Sequence, residues 1–193
     1  VAILLIITCS FVFAQNTYVP DDKFEQALID LGYDTTLDDY VLTANISGVT
    51  VLDVSRKSIS DLTGIEAFTS LIDLSCAVNQ LTSLDVSNNT ALEVLNLDDN
   101  QLTSLDLSKN TALTYLTCWD NELTSLDVSN NTALYWLAPV KNQLTSLDVS
   151  KNTALIELNV HGNQLTGLDV SANTVLSHLN CGDNQLTSLD VSS

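Results

Sequence analysis

The chain has 193 residues, 45% of them hydrophobic and only 16% charged, which excludes the charge-rich, apolar-poor make-up of a disordered segment and supplies one domain's worth of core. Its 6 Lys and Arg stand against 24 Asp and Glu, a formal net charge of -18, so nucleic acid and anionic membrane surfaces are repelled rather than held. Cationic and neutral partners stay open.

Residues 1–14, "VAILLIITCSFVFA", are expected to be a secretory signal peptide, because the apolar run ends in Val12-Phe13-Ala14, compact residues where a signal peptidase needs them. The run is shorter than the roughly 20 apolar residues that span a bilayer. The chain opens at Val1 and contains no Met, so the basic start of the signal is expected upstream. A lipoprotein reading at Cys9 competes with this, but Thr8 stands where a smaller residue is expected and a cut there would leave Phe11, Val12 and Phe13 on the mature chain.

Residues 15–48 read as an N-terminal cap. Within "PDDKFEQALIDLG", residues 20–32, Asp21 or Asp22 can cap a helix, Phe24, Ala27, Leu28 and Leu31 form one apolar face, and Gly32 supplies the stop. Such a helix would cover the open end of whatever follows.

Residues 49–193 are repeats. "NQLTSLDVS" or a near copy begins at Asn79, Asn100, Asn121, Asn142, Asn163 and Asn184, each 21 residues after the last. Upstream of each Asn, leucines complete the frame LxxLxLxxNxL, as in Leu92, Leu95, Leu97, Asn100 and Leu102. Two leucines one residue apart point the same way from an extended strand, so Leu95 and Leu97 face inward and Asn96 outward. The repeated Asn is expected to satisfy backbone groups of the turn and to stack on its equivalents above and below as a structural ladder. "LTSLDVS", with Leu84 and Val86 in its first copy, is expected to run extended on the opposite side. In the first coil, Ile59, Leu62, Ile65, Phe68 and Leu71 recur at spacing three, which suits short 3₁₀ turns on the convex side. A lone coil cannot bury enough surface to stay folded, so the coils must stack, predicting a mainly β, parallel solenoid behind a short helical cap.

Two side-chain series follow the same frame. Cys76, Cys118 and Cys181 occupy the second inward position of coils two and three apart. At about 4.8 Å per coil they are too distant for a disulfide or a shared zinc ion, so they are expected to be free, buried and inert. Asp85, Asp106, Asp127, Asp148, Asp169 and Asp190 form a stripe of carboxylates. Asx-turns that accept the amides of the following Ser or Asn would offset their repulsion; a stripe of calcium ions is the sharper alternative.

Function is sought where the repeats differ. Variation gathers at the outward strand positions, while "LTSLDVS" barely changes. Tyr115, Trp136, Glu157 and His178 hold one position of four consecutive strands and should form a row flanked by Tyr135 and Trp119, the candidate ligand-binding residues. Exposed aromatics in this arrangement suit an interface hot spot or stacking against sugar rings, with mutual packing as the plain alternative. No catalytic residue is expected: Glu157 and His178 could form an acid–base pair, but no nucleophile with an oxyanion donor accompanies them on an open sheet. In "TALYWLAPVKNQ", residues 132–143, Pro139 takes an inward site where sister coils carry Leu, Val or Cys; without an N–H it should delete one ladder bond and bend the sheet beside the aromatics.

From Val49 onward, about three quarters of the chain, the sequence resembles the secreted bacterial leucine-rich repeat proteins, the 22-residue first coil being similar to internalin-type repeats and the "NQLTSLDVSxNTALxxL" units to a 21-residue bacterial variety. The resemblance implies a non-catalytic binding or adhesion module, secreted or at the cell surface, with a protein partner or a surface glycan. No cofactor is expected, and no metal unless the aspartate stripe takes up calcium. A purely structural spacer is the third possibility. Because Ser193 falls in mid-repeat, further repeats and a C-terminal region are expected.

Overall fold

A computed structural model describes residues 15–190; the expected signal peptide, residues 1–14, lies outside the described residues, as do residues 191–193. Among the described residues no helix is long and apolar enough to cross a membrane.

The cap begins with β1 (Asn16–Tyr18), paired antiparallel with β2 (Tyr40–Leu42), and between them runs α1 (Asp22–Asp30). Asp21 is the N-cap, its Oδ1 accepting the N–H of Lys23 (2.8 Å) and Phe24 (3.1 Å). At the other end Gly32 takes φ 82° and donates to the Ile29 carbonyl while Tyr33 donates to Leu28, a Schellman closure only glycine enters without strain. Phe24, Ala27 and Leu28 are buried as the periodicity predicts, but Leu31 is 46% exposed. It is the C-cap residue, where the chain has already begun to turn away from the core. The other oxygen of Asp21 receives the N–H groups of Ser60 and Asp61 and the Ser60 hydroxyl, at 2.8–3.0 Å. Burial pushes this carboxyl up, and those bonds outweigh it and hold it below the usual range. The Phe24 and Phe68 rings, 6.4 Å apart, complete the docking of the cap on the first coil.

After α2 (Thr43–Ile46) the solenoid starts. Its strands β3 (Val51–Asp53), β4 (Asp73–Ser75), β5 (Val94–Asn96), β6 (Tyr115–Thr117), β7 (Trp136–Ala138), β8 (Glu157–Asn159) and β10 (His178–Asn180) form one seven-stranded parallel sheet in which each coil pairs with the next. A 3₁₀ turn at Ile65–Ala67 lies where the spacing-three pattern put it. The inward leucines Leu74, Leu95, Leu116, Leu137 and Leu158 are fully buried in one continuous stripe.

The segment after each ladder Asn forms a paired strand in few coils. Among the described residues only β9 (Gly167–Asp169) and β11 (Ser188–Asp190) pair as strands there; the four earlier coils, with Ser83, Ser104, Ser125 and Ser146 at the position of Gly167, form no such ladder. A Cβ on Gly167 would sit 3.3 Å from Ser188 Oγ, so the missing side chain permits the close approach.

Pro139 is buried, as predicted. In other coils the residue at this site donates to the following coil, as Leu97 does to the Thr117 carbonyl (2.9 Å) and Cys118 to Ala138 (3.2 Å). Pro139 cannot, and the β7–β8 register holds two residue pairs where the neighbouring pairs hold three. Bonding resumes at once with Lys141 N–H to the His161 carbonyl, 2.8 Å. Pro139→Leu restores a bond worth about 0.5–1.5 kcal/mol but also frees the unfolded chain by about 0.4–1 kcal/mol. Global stability should therefore barely move, while amide exchange across Glu157–Asn159 should slow several-fold by mass spectrometry.

Candidate functional site

The outward face is built by the strand alternation. Strand pairing in register aligns Val94, Tyr115, Trp136, Glu157 and His178 in one row; in the next, Asn96, Thr117 and Ala138 align, as do Asn159 and Asn180. The predicted row of Tyr115, Trp136, Glu157 and His178 is therefore present. Tyr115 and Trp136 stack, ring centroids 5.4 Å apart and planes 19° from parallel, and Tyr135 meets the edge of Tyr115 at 6.5 Å. Trp119 stands on the same face beyond Thr117, with the Lys141 ammonium 5.2 Å from its ring centroid. Thr117 and Ala138, although outward, are each only 7% exposed. Tyr135 and Trp119 remain about two-fifths exposed.

Asp98 organises this cluster. One of its carboxylate oxygens accepts the Thr117 hydroxyl (2.6 Å) and the Trp119 N–H (2.8 Å), fixing the backbone that carries the tryptophan. Burial, followed by the charges of Asp98, the neighbouring Tyr135 and Glu157, pushes the Tyr115 phenol up. The surface is thus aromatic at its centre and acidic around it.

Glu157 and His178 are in register, but no hydrogen bond or ion pair joins them. His178 Nδ1 instead engages the adjacent Ser177 hydroxyl at 2.9 Å, and His161 faces Asp183 at 3.4 Å. Each histidine is engaged by another partner, which removes the geometric basis for the acid–base pair.

The ladder asparagines tie neighbouring coils together. The side chain of Asn100 accepts the Leu81 N–H of the preceding coil and donates to the Cys76 carbonyl of that coil and to Leu97 and Asp98 of its own, all at 3.0–3.1 Å. Asn121, Asn163 and Asn184 repeat the pattern, as does Asn142 without its own-coil bond to residue 139. Asn79 performs the same service for the first coil. The amides bond to backbone of their own and the preceding coil, each donating to at least two carbonyls and accepting at least one N–H.

A second ladder escaped the sequence reading. Asn89, Asn110, Asn131, Asn152 and Asn173, from the "NTAL" or "NTVL" returns, are buried and donate to carbonyls of the preceding coil. The recurring Asn before Thr was the available signal. Also unread was one left-handed residue per coil just before the ladder Asn: Val78, Asp99, Asp120, Lys141, Gly162 and Asp183. Only the Asp and Gly members advertise it.

Cys76 and Cys118 are buried and free as expected, and burial together with the charge of Asp53 pushes the Cys76 thiol up to about 12. Cys118 shifts the same way, burial again leading. Cys181, in the last described coil, is only partly buried.

The aspartate stripe forms Asx-turns: Asp85, Asp106, Asp127, Asp148 and Asp169 each accept the N–H of the serine two residues on, at 2.9 Å. Bonds from those serines hold Asp85, Asp106, Asp127 and Asp148 below the usual carboxylate range, outweighing repulsion between neighbours, and Lys109 and Lys151 assist at Asp106 and Asp148. Among the described residues the only three carboxylates whose oxygens lie within ligand distance of each other belong to the cap, not to the stripe. Because the folded values are depressed below 3.8, this stabilisation is complete above that pH and lost as pH falls through the folded values. Changing Asp85, Asp106, Asp127 and Asp148 together to Asn should therefore shrink the loss of melting temperature between about pH 5 and pH 3, measured by circular dichroism; an unchanged acid limb would remove the stripe from the account.

No family model matches the chain. Over 75 residues it is 43% identical to internalin J of Listeria monocytogenes, a match covering 39% of this chain and 8% of that protein. The solved functional domain of internalin J, described as including a cysteine ladder, superposes with a TM-score of 0.77 at 38% identity, covering 93% of this chain and 48% of that one. A leucine-rich repeat protein of Leptospira interrogans superposes at 0.61 with 25% identity, covering 68% of this chain and 39% of that one. Internalin C2 of Listeria monocytogenes, at 0.68 and 21% identity over 93% and 92% of the two chains, shares the fold. The chain thus spans about half the length of the internalin J domain and a small part of the whole protein. The 21-residue frame, the parallel solenoid behind a helical cap and these likenesses together show a leucine-rich repeat solenoid similar to those of the bacterial internalins.

Proposed function

We propose that the chain is a non-catalytic protein-recognition module that binds through the outward face of β6, β7 and β8, on a protein that is secreted or held at the cell surface, where it serves adhesion. The carrying observation is the cluster of Tyr115, Trp136, Tyr135 and Trp119, whose members are distinctive among otherwise repetitive coils and partly open to solvent. The likeness to internalin J supports a role in binding, and the acidic rim of Asp98 and Glu157 favours a partner that presents basic side chains around an apolar centre.

A surface glycan is the second reading, on the strength of the two exposed aromatics. The geometry favours it less. Tyr115 and Trp136 turn their ring faces on each other, and one face of Trp119 carries Lys141, so little flat ring surface is left for a sugar. Polysaccharide arrays probed with the wild type and with Trp119→Ala decide between the two: a glycan signal lost on substitution supports the sugar, whereas a silent array and a protein partner released by the same substitution support protein recognition.

A further inference from the structure

We infer a calcium-binding site in the N-terminal cap, formed by Glu25 of α1 with Asp34 and Asp38 of the loop that follows. Each residue offers a carboxylate oxygen, and the three oxygens lie within 4.8 Å of one another. Ligands 2.3–2.6 Å from a common Ca²⁺ can be no more than about 4.6–5.2 Å apart, so the trio fits one ion.

Proximity of acidic groups alone would mean little on so acidic a chain. Glu25, however, is completely buried, and only half of its carboxylate is used. Oε1 accepts the N–H groups of Asp38 and Tyr40, both at 3.0 Å, which pins the loop against the helix. Oε2 is shielded from solvent and has no hydrogen-bond partner, and Asp34 Oδ2 is in the same condition. A buried carboxylate oxygen without a donor is costly, and no Lys, Arg or His forms an ion pair with any of the three among the described residues. One hard cation coordinated by oxygen answers both the clustered charge and the unpartnered atoms. A trio of carboxylates from a helix and the loop after it, completed by water, suits Ca²⁺, whose coordination is flexible, better than Mg²⁺, which demands near-ideal octahedral geometry. The ion would tie α1 to the entry of β2 and so stiffen the element that covers the first coil.

The test uses the whole chain, stripped with a chelator and titrated with CaCl₂. Saturating Ca²⁺ should raise the melting temperature by on the order of 5–10 °C, and Tb³⁺ should give saturable luminescence excited through Tyr33 and Tyr40, which adjoin the site. Asp34→Asn and Asp38→Asn, at partly and fully exposed positions that should keep the fold, are each expected to weaken Tb³⁺ binding at least tenfold. Glu25→Gln keeps an acceptor for the Asp38 and Tyr40 N–H groups and should abolish the calcium response without lowering the melting temperature of the stripped protein. An unchanged melt with no saturable Tb³⁺ signal overturns the proposal. So does full retention of both in the Asp34→Asn, Asp38→Asn double variant, which would put the ion elsewhere, and so does an equal response to Mg²⁺ at the same concentration.

Discussion

Replacing Asn121 by alanine is expected to lower the unfolding free energy by about 3–5 kcal/mol. Its side chain is 6% exposed and lies between two coils. Oδ1 accepts the Leu102 N–H of the coil before, at 3.0 Å, while Nδ2 donates to the carbonyls of Leu97, Cys118 and Trp119 at 3.0, 3.2 and 3.4 Å. Alanine strips partners from buried backbone groups that water cannot reach, and each such group costs about 1–3 kcal/mol. Aspartate keeps the acceptor, loses the donor and adds a buried charge, so it should be no milder. Urea denaturation followed by far-ultraviolet circular dichroism reads the loss, with Glu122→Ala, an exposed neighbour, as the control expected to change little. A loss below about 1 kcal/mol would show that the coils hold together by leucine packing alone. Asn131→Ala in the second ladder should cost less, because its Nδ2 serves two carbonyls and its Oδ1 has no donor.

The second large effect is expected in binding rather than in folding. Trp136→Ala should weaken association with the protein partner by about 2–4 kcal/mol, roughly 30- to 1,000-fold, as truncation of a central aromatic anchor does. The ring is half-buried and stacked on Tyr115, so its loss also unsettles the tyrosine. Trp119→Ala should cost less, since that side chain stands nearer the rim and its backbone stays held by Asp98. Calorimetric titration of partner into each variant measures both, and a melting curve for each separates lost contact from lost fold. Undiminished affinity in both variants would leave the face a spacer surface.

Much of this was readable in the residue order, and for stated reasons. A spacing of 21 fixes which leucines stack, so the row from Tyr115 to His178 follows from counting. Pro139 declares its missing donor by its chemistry. Other features depend on distances that no periodicity encodes. The exposure of Leu31 is decided by where the helix axis ends, and the β9–β11 pairing by a single absent Cβ at Gly167. Val78 occupies a left-handed position that β-branched residues avoid, so composition argued against the turn that the stack imposes. The partners of Ser177, His161 and Asp98 are fixed by side-chain rotamers, to which a repeat frame is blind.

Pro139 also bears on how the molecule behaves under load. A stack of coils pulled along its axis shares the tension across every joint and parts at the joint with the fewest bonds. Here that joint lies between β7 and β8, where the Pro139 donor is absent and the ladder is two pairs long. Trp136 stands on one side of the seam and Glu157 on the other. A partner gripping both would act as a splint across the place where the protein would otherwise tear, so that attachment and resistance to shear would reinforce each other.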